Sequence, residues 1–147
     1  MMRRLARFAL DARGNTAVEF AIVAPMLVFM TLALWEFGNA VNERTQLETA
    51  ARAGAQAAMS DSTDTAAIEQ AVYDATGLTS TDLTVTTTTA CECSDGTAVD
   101  CSTGTCAVGS VQTYMTVQVT KPYTLTVNSD ALNGVITLTG RATVRVE

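Results

Sequence analysis

The sequence contains no histidine and few aromatic residues, and both absences narrow its function. Histidine is the commonest general base near neutral pH and the commonest metal ligand. The chain also lacks a G-x-S-x-G turn and a glycine-rich phosphate loop. Only 5% of its 147 residues are aromatic, so any soluble core has to be small. These absences predict a protein with no enzymatic activity, no catalytic residues, no cofactor and no metal site.

Charge is distributed unevenly along the chain. Before Asn15 there are four arginines and one acid, a net charge of +3. The remainder carries five basic and fourteen acidic residues, a net charge of −9, which gives −6 in total. An acidic body argues against nucleic-acid binding, which needs a basic face. The asymmetry predicts a cytoplasmic basic leader at residues 1–14 and a body on the other side of a membrane.

A long apolar stretch follows the leader. Residues 15–38 are predicted to form a transmembrane helix, since no charged residue lies between Phe20 and Trp35. In helical form, residues 15–37 span about 34 Å, enough to cross a hydrocarbon core of about 30 Å. Trp35 falls at the far end, where interfacial aromatic side chains collect. The predicted transmembrane residues singled out here are Ala21, Pro25 and Trp35.

A cleaved secretory signal is the alternative interpretation of this stretch. Such a signal has a shorter apolar region, about 7–15 residues, and ends in an A-x-A-like site. Here the apolar run is longer and continues into residues 39–59, which are rich in helix-forming residues. The sequence therefore favours a retained anchor whose helix runs on as an extended periplasmic helix.

The 39–59 helix carries a stripe of small residues. Such a stripe allows close approach either to the helix's own domain or to a helix of another subunit, and the sequence leaves both open. Its members are Ala40, Leu47, Ala50, Ala51, Gly54, Ala57 and Ala58.

Residues 60–147 are predicted to form an extracytoplasmic α+β domain. A capped turn at 60–64 precedes a short helix at Thr65–Thr76, with Gly77 as its C-terminal cap. Alternating and threonine-rich segments then predict antiparallel strands, so that a small sheet packs on the long helix in a pilin-like α+β fold. The predicted strands are Asp82–Cys91, Val111–Thr120, Lys121–Val127 as a continuation or a separate strand, and Gly134–Val146.

Four cysteines lie in a predicted loop at 91–106: Cys91, Cys93, Cys101 and Cys106. Their C-x-C-x7-C-x4-C spacing fits zinc poorly, and outside the cytoplasm disulfides persist. Two disulfides are therefore favoured over zinc or free thiols. A Cys91–Cys93 bond would close a very tight ring. Two pairings stay open: Cys91–Cys101 with Cys93–Cys106, or Cys91–Cys106 with Cys93–Cys101.

Glu19 directly precedes the apolar run, and a carboxylate there needs a partner or access to water. One interpretation places it at the cytoplasmic edge, before the membrane helix begins. A more specific pattern surrounds it: a basic leader ends in Gly14, and Glu19 is the fifth residue after that glycine. This pattern resembles the class III signal of type IV pilin-like proteins, in which a membrane-embedded prepilin peptidase cuts after the glycine. The resemblance implies a processing site between Gly14 and Asn15, and a role for Glu19 in assembly and docking.

Within that class, "GNTAVEFAIVAPMLVFMTLALWEFGNAV" and "LETAARAGAQAA" resemble the TadE-like family. The strong resemblance covers about residues 13–58. Its matching positions are Arg13, Gly14, Ala17, Val18, Glu19, Phe20, Ala21, Pro25, Glu36, Phe37, Gly38, Ala50, Ala51, Arg52, Gly54 and Ala55.

The resemblance implies a minor pilin or pseudopilin of the tight-adherence (Flp/Tad) pilus, used for surface attachment and biofilm formation. It implies a single-pass bacterial inner-membrane protein with a cytoplasmic N-terminus and a periplasmic domain. Its expected partners are a prepilin peptidase, other pilin-like subunits and the Tad assembly machinery, with no nucleic acid and no small-molecule substrate. Major Flp pilins are little more than a membrane helix, so a chain with a β domain is not expected to be the main subunit.

The competing hypothesis is an unprocessed single-span periplasmic binding module, whose outer domain binds a partner. In that case Glu19 has no assembly role. Glu36, beside Trp35, is interpreted either as a solvated acid at the far interface or as a second docking contact.

Overall fold

The computed structural model describes residues 15–125 and 134–146. The predicted leader, with Gly14, and the end of the predicted Lys121–Val127 strand lie outside these residues. The chain divides into two compact units, Met1–Gly38 and Asn39–Glu147. The elements are helices α1 (Asn15–Ser60) and α2 (Thr65–Thr76), followed by strands β1 (Thr84–Cys93), β2 (Ala98–Val99), β3 (Val111–Thr124) and β4 (Val135–Arg145).

The predicted continuation of the apolar helix is confirmed, because α1 runs without a break from Asn15 to Ser60. A turn separates it from α2. The carboxylate of Asp64 accepts a hydrogen bond from the Ala67 N–H at 2.9 Å and caps α2 at its first turn. Gly77 ends α2 in the left-handed region, at φ +67°, where glycine has no steric penalty. The sequence placed both ends of this helix correctly.

The four strands form one antiparallel sheet in the order β2-β1-β3-β4. The α+β fold class is thus confirmed, since helices come first and antiparallel strands follow. Lys121–Thr124 continues β3 rather than forming a separate strand. Pro122 is accommodated there because β1 pairs with β3 only as far as Thr120, which leaves that side of the strand without a strand partner.

Alternation along the strands gives the sheet one packed and one polar face. Val111, Met115, Val117 and Val119 alternate with other residues along the predicted strand Val111–Thr120; the last three are buried on β3, and Val111 is half-buried. On β4 the predicted alternation holds from Leu138 onward, but Ile136 is exposed. The opposite face carries polar contacts, among them Thr116 with Thr143, whose hydroxyl oxygens are 2.8 Å apart.

The core of the second unit lies between the packed sheet face and the two helices. The small-residue stripe of α1 is part of it, so the stripe packs on its own domain, one of the two possibilities left open by the sequence. The buried members of this core are Leu47, Ala50, Ala51, Ala55, Ala58, Ile68, Val72, Leu83, Met115, Val117, Val119 and Leu138.

Two glycines show how closely the layers approach. A Cβ on Gly54 would lie 2.8 Å from Val72 Cγ2 and 3.1 Å from Val117 Cγ1. A Cβ on Gly140 would overlap the main chain of Leu47 and Glu48. Backbone cannot move aside as a side-chain tip can, so β4 contacts α1 at a distance that only glycine permits.

A partly buried ion pair joins the same two layers further along. Lys121 on β3 donates to the Glu43 carboxylate on α1. Pairs removed from solvent are screened less than exposed ones, and this one fixes the position of β3 along the helix. Arg44 and Glu48, by contrast, form an exposed i,i+4 pair at 3.4 Å, of a kind that contributes little.

Candidate membrane and assembly segment

The first unit consists, in its described part, of α1 from Asn15 to Gly38, and its apolar side chains are exposed all around. A helix that is apolar on every face has no solvent-facing side and is typical of a membrane span. In the part of the chain that the structure describes, α1 is the one helix long and apolar enough to cross a bilayer. Its exposed apolar residues are Val18, Phe20, Ile22, Val23, Met26, Leu27, Val28, Phe29, Met30, Leu32, Leu34, Trp35 and Phe37.

The predicted transmembrane residues all lie on this exposed surface. Ala21 and Pro25 are one turn apart, and α1 continues through the proline. Proline has no N–H, so the Ala21 carbonyl receives no i→i−4 hydrogen bond from it. The Thr31 hydroxyl donates a hydrogen bond to the Val28 carbonyl at 2.8 Å, so this hydroxyl finds its partner within the helix.

Glu19 lies one helical turn after Asn15, the first residue of α1. An i,i+4 spacing places two residues on the same side of a helix, within reach of each other. Glu19 is exposed, so its carboxylate is accessible to groups outside the helix. Gly14 lies outside the described residues, and the bond between Gly14 and Asn15 stays a predicted processing site.

Glu36 differs from every neighbour in the apolar segment. Its side chain is only 8% exposed, whereas Trp35 and Phe37 beside it are open. The interpretation of Glu36 as a solvated interfacial acid is therefore wrong. The sequence around Glu36 could not predict this burial, because burial depends on which groups pack over the side chain.

The cysteine loop carries two disulfides, Cys91–Cys101 and Cys93–Cys106. This is the first of the two pairings left open by the sequence. Both bonds tie the loop after β1 back to the end of that strand, where Cys91 and Cys93 are buried. With all four sulfurs in disulfides, no free thiolate is available among them for zinc.

Asp100 organises the turn next to Cys101. The Ser102 hydroxyl and N–H donate to its Oδ1 at 2.6 and 2.9 Å, and Thr103 donates two further bonds. These bonds, the Ser102 hydroxyl first, stabilise the charged form and lower the pKa of Asp100 from 3.8 to about 2. Gly104 closes the turn, with its N–H donating to the Asp100 carbonyl at 2.8 Å.

This turn predicts a specific pH dependence. Because the folded pKa of Asp100 is depressed, its contribution to loop stability is complete above 3.8 and is lost as the pH falls through about 2. We expect a carboxyl titration of Asp100 followed by NMR to show a midpoint near 2, and Ser102→Ala to raise that midpoint. A midpoint near 3.8 in the unsubstituted protein would contradict this structure of the loop.

These features together define an α+β protein with one candidate membrane helix near its N-terminus and a small disulfide-bonded sheet domain. Residues 14–56 match the family model described as TadE-like protein. The TadE-like resemblance is thereby confirmed over this segment, which is less than a third of the chain and contains Glu19, Pro25 and Glu36. The match supports an involvement with the Flp/Tad pilus and a membrane association with its machinery. No curated protein and no solved structure matches the chain.

Proposed function

We propose that this protein is a minor pilin or pseudopilin that takes part in biogenesis of the Flp/Tad pilus and so supports surface adhesion and biofilm formation. The observation that carries the proposal is the apolar part of α1, which has Glu19 one turn after Asn15 and exposes apolar side chains all around. The family match over residues 14–56 supports it. The protein is proposed to be a structural subunit and a protease substrate, without enzymatic activity.

Processing at Gly14 explains the acid in electrostatic terms. Cleavage by a prepilin peptidase would create an α-ammonium group on Asn15, one turn from Glu19. That group, or the same group on a neighbouring subunit, would offset the Glu19 carboxylate where the dielectric is low. A subunit packed among others would pair its acid better than a subunit alone in lipid. Glu19 would thus convert an unfavourable charge into a preference for assembly.

The proposed topology puts the basic leader in the cytoplasm and the sheet domain in the periplasm, with α1 across the inner membrane. The arginine-rich leader supports this orientation through the positive-inside rule. The two disulfides support it independently, because such bonds persist in the oxidising periplasm and are rare in the cytoplasm. The proposed partners are the prepilin peptidase, other pilin-like subunits and the Tad assembly machinery.

The charge of Glu19 is open to a direct test by Glu19→Gln, which keeps the size of the side chain. We expect the variant to be processed and to remain in the membrane fraction, because removing a charge lowers the cost of insertion. We expect pilus assembly to fall severely, because the pairing with the new amine is lost. Membrane fractionation, the mass of the mature chain and pilus counts by electron microscopy measure the three results separately.

Glu48→Gln is the matched control, because it removes an equal charge from an exposed surface pair and should leave piliation unchanged. If Glu19→Gln assembles pili normally, Glu19 has no docking role. That result would support the unprocessed anchored module instead, most strongly if an unrelated anchor could also replace residues 1–38 without loss of function.

A further inference from the structure

The sheet of the second unit ends in two open strand edges within the described residues. Its order, β2-β1-β3-β4, makes β4 the strand at one end. At the other end β2 covers only Cys91 and Glu92 of β1, so residues 84–90 have a strand partner on one side alone, which is β3. None of these residues is buried. An open strand edge offers a row of backbone donors and acceptors to a further strand.

A hydrogen bond at the end of β1 shows which of its backbone groups face outward. The Cys93 N–H donates to the Thr97 carbonyl, on the β2 side of the strand, at 2.8 Å. Orientation alternates along an antiparallel strand. The N–H and C=O groups of Val85, Thr87 and Thr89 therefore point away from β3 as well, to the side where the described residues place no strand.

The outer edge of β4 follows from the same argument. The Val146 N–H donates to the Thr113 carbonyl, towards β3, at 2.9 Å. The backbone groups of Thr139, Arg141 and Thr143, one residue out of step with Val146, therefore point away from β3. Each edge of the sheet thus presents outward-facing N–H and C=O groups.

The two edges carry opposite charge. Residues 53–120 contain eight acidic residues and no lysine or arginine. Three of these acids, Glu92, Asp95 and Asp100, flank β2 and are exposed. Residues 134–146 contain Arg141 and Arg145 and no acid, and both arginines are exposed. The sheet is therefore acidic at its β1–β2 edge and basic at its β4 edge.

The charge of Arg141 is not neutralised by the contact that holds its side chain. Its Nη2 donates to Oε1 of Gln118 at 2.6 Å, and Gln118 is a neutral neighbour on β3. The guanidinium is thus positioned on the polar face of the sheet and keeps a full positive charge there.

We propose that β4 of one copy of this chain docks on the free edge of β1 in a second copy, so that the sheet continues from copy to copy. The inference rests on the proposed function as a pilin-like subunit and names a contact surface between its sheet domains. Charge complementarity selects the occupant. Two β4 edges would bring arginines together and two β1–β2 edges would bring acids together, whereas β4 beside β1 brings opposite charges together.

Strand direction agrees with this arrangement. Both β1 and β4 are antiparallel to β3, so they run in the same direction. A copy that is added to the sheet without being turned over therefore places its β4 parallel to β1. Copies related in this way all have the same orientation, as subunits anchored in one membrane must have.

The lengths of the two edges also match. Thr84 and Thr139 both pair with Thr120, and Ala90 and Arg145 both pair with Tyr114. Residues 139–145 of an added copy, without a shift along the strands, therefore lie along residues 84–90. Arg145 then reaches the point at which β2 ends and the acid Asp100 follows. A head-to-tail contact of this kind leaves a free edge at each end, so further copies can add to it.

Cross-linking of the full chain tests the contact. Thr88 and Thr143 are exposed and both pair with Thr116, so docking brings them to neighbouring strands, about 4.8 Å apart. The chain with Thr88→Cys and Thr143→Cys, purified in detergent, is treated with a short bismaleimide and run on a denaturing gel. We expect a ladder of dimers, trimers and larger products. The four native cysteines are in disulfides and do not react.

Three variants are the controls for position. Thr88→Cys alone and Thr143→Cys alone should remain monomeric, because each leaves one edge without a thiol. Gln56→Cys combined with Thr143→Cys should also remain monomeric, since Gln56 is exposed on α1 rather than at a sheet edge.

Charge reversal tests what selects the occupant. Arg141→Glu with Arg145→Glu, in the chain with both new cysteines, should lower the yield of the ladder by about tenfold or more. Adding Glu92→Arg and Asp95→Arg should restore it, and replacing both arginines by lysine should preserve it. Thermal midpoints from circular dichroism should stay equal, because all four substituted side chains are exposed.

Each other outcome would overturn the contact. Dimers from either single variant would show a symmetric pairing of like edges. Monomers from the chain with both cysteines, or equal cross-linking with Gln56→Cys, would show that the two edges do not meet specifically. A reduced ladder that the added arginines fail to restore would show that charge does not select the partner.

The result is separable from the proposed function. A ladder from a chain whose loss leaves piliation unchanged would keep the contact and remove the pilin role. Monomers together with a loss of pili in Glu19→Gln would remove the contact and keep the pilin role.

Discussion

Gly14→Ala is expected to leave the chain unprocessed and the cells without pili. Under the proposal, the peptidase recognises the glycine that ends the leader, and only a cut there exposes an amine on Asn15 next to Glu19. Without the cut, residues 1–14 stay attached, with their net charge of +3, on the cytoplasmic side. The chain could then insert in the membrane but could not leave it, because the charged leader would have to enter lipid. An immunoblot should show one longer form, and electron microscopy should show no pili.

Ala12→Gly is the control for this prediction. It makes a change of similar size two residues earlier in the leader and should be processed normally. A shortened Gly14→Ala product would show that the cut does not depend on the glycine. Normal pili built from the longer form would show that processing is not required.

Gly140→Ala is expected to destabilise the sheet domain, with Gly140→Val worse. The new Cβ would meet the backbone of Leu47 and Glu48, so that β4 and α1 must separate and lose contacts throughout a small core. Overpacking of this kind costs about 1–3 kcal/mol and occasionally more, against a total stability of about 5–15 kcal/mol for an ordinary domain. Thermal unfolding of the full chain in detergent, followed by circular dichroism, should show a clear fall in the midpoint.

Gly38→Ala is the matched control, because a Cβ there meets no atom within 4 Å and the residue is helical. Alanine is favoured over glycine in a helix by about 1 kcal/mol, so this variant should be as stable as the unsubstituted protein or slightly more so. A Gly140→Ala midpoint equal to that of Gly38→Ala would contradict the close packing of β4 on α1.

Periodicity was enough to predict most elements of this fold. The capped turn before α2, its end at Gly77, the strands β1, β3 and β4 and the long helix α1 all follow from local rules that neighbouring residues obey. The short strand β2 was missed, because Ala98 and Val99 lie in the predicted cysteine loop and only their pairing with Cys91 and Glu92 makes them a strand.

From the sequence alone, Lys121–Val127 could either continue the preceding strand or form a separate one. Pro122 can stay within β3 because the pairing with β1 ends at Thr120, and the sequence near Pro122 does not show where that pairing ends.

Contacts between distant residues could not be predicted in the same way. The cysteine pairing depends on the path of a loop. The observed pairs are 10 and 13 residues apart, and the alternative pairs would be 15 and 8 residues apart, so the total entropy of loop closure is nearly the same for both. The burial of Glu36 and the approach of Gly140 to Leu47 depend on which surfaces meet, and neither leaves a local pattern. In the apolar part of α1, the sequence pattern and the family match concern the same residues. The proposed role of Glu19 depends in addition on a cleavage that would change the chain itself.

The N-terminus of the mature protein tests the central claim most directly. Mass spectrometry of the chain purified from cells that contain the prepilin peptidase should find Asn15 as the first residue. The same chain from cells without the peptidase should retain the leader. A chain that still begins at Met1 or Met2 in the presence of the peptidase would contradict the account.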